Sequence, residues 1–133
     1  ITATPSREPL IRSEWIQRGT HINAMGADMP GKQELDSVIM GACVYIADSV
    51  EQCLKSGELQ HRLPHDRNGM LEFSNDFMNR SFVRAELGQI IAGKVRGRTS
   101  DNSGITRYDT TVFDSTGIGA QDLAMAEMVY ERR

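Results

Sequence analysis

The run Ala42-Cys43-Val44-Tyr45-Ile46-Ala47 is apolar throughout and rich in strand formers, which suits a central strand covered on both faces. Helix signals follow at once. Ser49 with Gln52 three residues on forms a capping-box pattern, and Val50, Cys53 and Leu54 repeat at helical spacing up to Gly57. A doubly covered strand passing straight into a helix argues for an α/β domain built on a parallel sheet.

The rest of the chain extends this alternation. Ile1 to Thr4 are β-prone and run into Pro5-Ser6-Arg7-Glu8-Pro9, where the prolines exclude a helix interior and favour extended or turn backbone, a strand end followed by a loop. His21-Ile22-Asn23-Ala24-Met25, stopped by Gly26, reads as a short buried strand, and Lys32 to Met40 as a short helix. Leu59 to Asn79 is polar, with Pro64, Asn68 and Gly69 as breakers, and reads as loop. Val83, Leu87, Ile90 and Ile91 fall at i, i+4, i+7 and i+8 and predict an amphipathic helix ended by Gly93. Lys94 to Asp109 is charged and reads as exposed loop. A strand at Thr110-Thr111-Val112-Phe113, a turn at Ser115-Thr116-Gly117 and a helix from Gln121 to Glu131 complete the pattern.

Composition narrows the function classes. A length of 133 residues, 39% hydrophobic and 25% charged, suits one globular domain. A net charge of -3 and a pI near 5.6 give no electrostatic reason to expect nucleic acid or an anionic membrane as partner. The sequence has no apolar run of the roughly twenty residues that a bilayer span needs and no secretory-signal pattern, so a soluble, cytoplasmic protein is expected. Cys43 and Cys53 are not in a C-x-x-C arrangement and read as buried reduced thiols. Asn79-Arg80-Ser81 fits a glycosylation acceptor pattern that is frequent by chance. The start at Ile1, in strand-favouring residues without a Met, leads us to expect a piece of a longer protein.

Gly26 to Lys32 matches the spacing G-x-x-x-x-G-K of a phosphate-binding loop after a strand. Its chemistry fails. Gln33 stands where Ser or Thr would hold magnesium, and Asp28 would put a negative charge among amides meant for phosphate.

The same segment, Asn23-Ala24-Met25-Gly26-Ala27-Asp28-Met29-Pro30-Gly31-Lys32-Gln33-Glu34-Leu35, resembles the signature of the ornithine cyclodeaminase/μ-crystallin family, which includes archaeal-type alanine dehydrogenases and ketimine reductases. Thr2-Ala3-Thr4-Pro5-Ser6-Arg7-Glu8-Pro9 upstream and Glu86-Leu87-Gly88, Ile91-Ala92-Gly93, Gly97-Arg98-Thr99-Ser100-Asp101 and Thr111-Val112-Phe113-Asp114-Ser115-Thr116-Gly117 downstream support it, in the family's order. The resemblance implies the C-terminal part of a Rossmann-type NAD(P)-binding domain, a parallel sheet with flanking helices. It also implies that Asp28 is a catalytic acid or base beside a nicotinamide ring. Physical reasoning agrees. A carboxylate on a glycine-rich loop at the carboxyl end of a strand sits where open α/β sheets bind ligands, and partial burial would raise its pKa toward useful proton exchange. The plainer alternative is an Asx-turn residue.

The family pattern further implies cofactor contacts at Ala24, Met25, Gly26, Ala27, Lys32, Thr4 and Ser115, and a substrate contact at Thr116. Without it, Lys32 is a solvated charge and the hydroxyls cap their own turns. His61 and His65 are four apart, but Pro64 between them rules out the helix that would align metal ligands, so they read as surface histidines and no metal site is expected. His21 reads as a hydrogen-bonded structural residue.

Residues 1–133 lack the G-x-G-x-x-G turn of a first strand–turn–helix unit, the ribose-binding residue after it, and the family's basic residues for a substrate carboxylate. The expectation is therefore a partial dinucleotide-binding domain plus a C-terminal helix, inactive in isolation and a poor binder of NAD(H) or NADP(H). The parent is expected to be a homodimeric NAD- or NADP-dependent enzyme acting on a small amino, imino or keto acid. Gly26-Ala27-Asp28 followed by Met29 to Asp36 looks closer to the alanine dehydrogenase and imine reductase branch than to true cyclodeaminases. Ornithine cyclodeaminase (an ammonia lyase) and a non-catalytic μ-crystallin-like binding protein are the alternatives.

Overall fold

The computed structural model describes residues 1–62, 82–99 and 103–132. Their strands are β1 (Arg7–Ile11), β2 (His21–Ala24), β3 (Gln33–Leu35), β4 (Val44–Ala47), β5 (Ala85–Glu86) and β6 (Thr111–Asp114). The helices are α1 (Ser37–Gly41), α2 (Val50–Lys55), α3 (Leu87–Ile91) and α4 (Gly119–Glu131), with 3-10 turns at Ser13–Trp15 and Glu58–His61.

The strands β2, β6, β4 and β5 pair in that order, all parallel, as the alternating pattern predicts. Register aligns Ala24 with Asp114 and Asp114 with Ala47, so the carboxyl ends of β2, β6 and β4 lie level. Thr2 adds a parallel bridge to Ala24 on the outer edge of β2. The loops after Thr2, Ala24, Asp114 and Ala47 therefore emerge side by side, at the edge where open α/β sheets place ligands.

The core joins Ile22, Ala24, Tyr45, Ala47 and Val112 of the sheet to Leu35, Ile39, Met40, Cys53 and Leu59. Each large side chain in it contributes about 1.5–3 kcal/mol of hydrophobic stabilisation. Ser49 caps α2, its side chain accepting from the Gln52 amide. The thiols are unbridged, Cys53 buried and Cys43 partly so. Burial pushes the Cys43 thiol up to about 12.

Several expectations are corrected. Pro5–Pro9 is not simply a loop, because Arg7–Ile11 forms β1, parallel to β3. A proline is tolerated there because, among the described residues, β1 pairs with β3 alone and so leaves an edge. Lys32–Met40 is not one helix. Gln33–Leu35 is strand β3, and the Asp36 carboxylate accepts the Val38 amide and starts α1 only at Ser37. The amphipathic helix begins at Leu87 rather than Val83, after the Glu86 cap. Val83 packs on the core from outside it, and Ile91 is 77% exposed. The first part of Leu59–Asn79 is the turn Glu58–His61, and residues 63–81 lie outside the described residues, with His65 and Asn79 among them.

The loop 94–109 is pinned by Arg98, whose guanidinium donates to the Asp109 carbonyl at 2.9 Å and the Thr111 hydroxyl at 3.1 Å. Residues 100–102 lie outside the described residues. Helix α4 has no buried residue and exposes Leu123, Met125, Met128, Val129 and Tyr130.

Candidate functional site

The loop after β2 is held by a buried carboxylate. Glu34 accepts the Gly26 amide at 2.9 Å and the Thr4 amide at 2.6 Å, tying together the loops that leave Thr2 and Ala24. Burial pushes the Glu34 carboxyl up, but the neighbouring Thr2 hydroxyl and the Thr4 and Gly26 donors outweigh it and hold the carboxyl below its usual range. A side chain at position 26 would collide with that carboxylate, so glycine is required there.

Asp28 lies on the same loop, its amide donating to the Gly26 carbonyl at 3.0 Å. Lys32 donates to its carboxylate at 2.6 Å. The lysine side chain is 17% exposed and that of Asp28 is 49% exposed. The hydrogen bond from Lys32 holds the Asp28 carboxyl below its ordinary range, against a smaller opposing effect of burial. The expected rise from burial is thereby corrected. Asp28 is half-exposed and ion-paired, so near neutral pH it rests as a carboxylate able to take up a proton.

The loop after β6 is organised by Asp48, which follows β4. Its carboxylate accepts the Ser115 hydroxyl at 2.9 Å, the Gly117 amide at 2.8 Å, the Ser49 amide at 2.6 Å and the Thr116 hydroxyl at 3.5 Å. The Ser115 amide donates to the Ala24 carbonyl at 3.0 Å, joining this turn to the loop that carries Asp28.

The fold thus gathers Thr4, Ala24, Met25, Gly26, Ala27, Ser115 and Thr116 along one sheet edge. It also divides them. Ala24, Gly26, Ala27 and Ser115 are buried by the chain itself, whereas Met25 is 42% exposed and Thr116 partly so. Thr4 is tied to Glu34, and its hydroxyl accepts the Ser6 amide at 3.2 Å. His21 bonds Thr111 at 2.7 Å and Asn23 at 3.1 Å, in keeping with a structural role.

Two further carboxyls lie beneath this edge. Burial raises Glu58 to about 8 even though it accepts the Glu34 and Leu35 amides at 2.6 and 3.3 Å. Burial also raises Asp114 to about 6, partly offset by the Tyr45 hydroxyl and the Leu59 amide that donate to it. Its second oxygen has no hydrogen-bond partner among the described residues. His61 is part-buried, and its Nε2 donates to the Lys32 carbonyl at 2.7 Å.

Sequence reasoning missed Asp48, Glu34, Glu58 and His61. Glu34 stood within the signature segment, and Asp48 directly follows an apolar strand, the position from which open sheets present polar groups to ligands.

The family model for the ornithine cyclodeaminase/mu-crystallin family matches residues 1–133. The chain belongs to this family. Among its relatives is the alanine dehydrogenase of Archaeoglobus fulgidus, 41% identical over 131 residues, a match covering 98% of this chain and 36% of that protein. The fold matches the structure of an archaeal alanine dehydrogenase dimer with bound NAD, with a TM-score of 0.76 and 38% identity, covering 98% of this chain and 36% of that one. It also matches the Δ1-pyrroline-2-carboxylate reductase of Thermococcus litoralis in complex with NADH and L-proline, with a TM-score of 0.75 and 28% identity, covering 97% and 35% respectively. The chain therefore spans about a third of the length of these cyclodeaminase/μ-crystallin relatives. The parallel α/β architecture is that of nicotinamide-binding dehydrogenases.

Proposed function

We propose that this chain is part of an NAD- or NADP-dependent enzyme acting on a small amino, imino or keto acid, of alanine dehydrogenase or imine reductase type. The observation that carries the reading is the Asp28–Lys32 pair on a loop fixed beside the Ser115–Gly117 turn, at the carboxyl edge of a parallel sheet.

The residues fit a nicotinamide. The open surface at this edge is Met25 and the Gly117 turn, where a Cβ would meet nothing within 4 Å, while the small residues Ala24, Gly26 and Ala27 lie buried beneath it. Met25, Lys32, Thr116 and the Thr4 loop would hold the cofactor on this side, with Ala24, Gly26, Ala27 and Ser115 shaping the backbone from beneath. When bound, a nicotinamide would supply hydride exchange with the substrate carbon.

Asp28 takes a proton from, or returns one to, the substrate nitrogen, and Lys32 keeps its carboxylate ionised and aimed. Asp48 holds Thr116 toward the substrate by fixing the turn on either side of it. The glycine-rich turn for the pyrophosphate and the basic residues for the substrate carboxylate are not among residues 1–133, so these residues supply one wall of the site. An alanine dehydrogenase relative solved as a dimer supports a homodimeric whole protein.

Assaying the whole protein with pyruvate plus ammonia, cyclic imino acids and ornithine, with NADH and NADPH in turn, tests the reading. Cofactor oxidation with an imino or keto acid is expected. Ammonia release from ornithine without net cofactor change would contradict the branch and favour a cyclodeaminase.

A further inference from the structure

The loop carrying Asp28 is fixed at two points. Glu34 holds its start through the Gly26 amide. Its end is held from the 3-10 turn Glu58–His61. The Gln60 side-chain carbonyl accepts the Gly31 amide at 2.8 Å, and its amide nitrogen donates to the Gly57 and Lys32 carbonyls at 2.9 and 3.4 Å. His61 Nε2 donates to the same Lys32 carbonyl at 2.7 Å. Glu58 continues the pattern with the Glu34 and Leu35 amides. Side chains of one turn thus bond the backbone of residues 31 to 35 much as a neighbouring strand would, on a segment whose partner strand is β1. Asp28 lies between the two fixed points, and Lys32, its ion-pair partner, is the residue whose carbonyl is doubly bonded.

We infer that Gln60 and His61 are positioning residues for the Asp28–Lys32 pair. The inference rests on the reading of Asp28 as the proton-transfer group. Gln60 and His61 bond the Gly31–Lys32 backbone and act on the pair through it. A loop released at one end spreads Asp28 over several orientations, and misplacement by about 1 Å costs on the order of a hundredfold in rate.

The test compares Gln60→Ala, His61→Leu and His61→Gln in the whole protein, alone and combined with Asp28→Asn. We expect Gln60→Ala and His61→Leu to lower kcat by about tenfold with cofactor KM changed less than about threefold. His61→Gln keeps a donor for the Lys32 carbonyl and should retain kcat within about threefold. In the Asp28→Asn background each should add less than about twofold, because groups acting through one another are not additive. In the cofactor-free protein, Gln60→Ala should expose the Gly31 amide to hydrogen exchange while the amides of β4 stay protected. Equal losses in His61→Gln and His61→Leu, full additivity with Asp28→Asn, or an unchanged Gly31 amide would overturn the inference while leaving Asp28 catalytic. Unchanged turnover in Asp28→Asn would instead overturn the underlying reading.

Discussion

The carboxylate of Glu34 accepts the Gly26 amide at 2.9 Å and fills the space that a side chain at position 26 would need. The glycine of the signature segment thus makes room for a buried anion that ties two loops together. Gly26→Ala should destabilise the protein by about 1–3 kcal/mol through overpacking. Thermal unfolding of the whole protein checks this, and an unchanged midpoint would show that Glu34 can move aside.

Tyr45 donates to Asp114 in the core, and the second oxygen of that carboxylate has no partner among the described residues. Tyr45→Phe removes one of its few donors and should cost about 1–3 kcal/mol. The loss should be largest above the titration of Asp114, near pH 6, where the group is charged. Denaturant midpoints at pH 5 and pH 8 should show the larger difference at pH 8.

Glu58 and Asp114 are both raised by burial, from about 4.5 to about 8 and from 3.8 to about 6. Between the ordinary and the raised values the folded state binds more protons than the unfolded chain, so stability must fall as pH rises from about 4.5 to about 8. Glu58→Gln should flatten the part of this decline above the titration of Asp114. Urea midpoints measured at intervals from pH 5 to pH 8 give both slopes, and parallel curves would place the decline elsewhere.

Asp48 gathers the Ser115 hydroxyl and the Gly117 amide into one turn. Asp48→Ala removes both bonds and should raise the KM for cofactor or substrate by about tenfold or more, since a misordered turn must be reordered on binding. Steady-state kinetics with each varied in turn locate the effect. Unchanged KM values would show that the turn holds its shape without Asp48.

Much of this fold is readable from period and punctuation. The apolar run at Ala42–Ala47, the Ser49 cap and the final helix all appear within a residue or two of where pattern places them. The errors share a cause. Arg7–Ile11 and Gln33–Leu35 are short strands that pair with each other rather than with the main sheet, so neither carries the alternation or the apolar run that marks a strand. Asp28 stands out through its signature segment, but its ionisation does not, because the reach of Lys32 back to it depends on a loop geometry that spacing does not reveal. Asp48, Glu34 and His61 matter through long-range bonds to backbone, which no local pattern announces.

The central claim is that Asp28 moves the proton in a nicotinamide-dependent reaction. Its most direct test is turnover of Asp28→Asn in the whole protein, measured beside its affinity for NADH and NADPH. The account predicts a kcat lower by about 10²- to 10⁴-fold with cofactor affinity nearly unchanged. Turnover equal to that of the unaltered protein would contradict it.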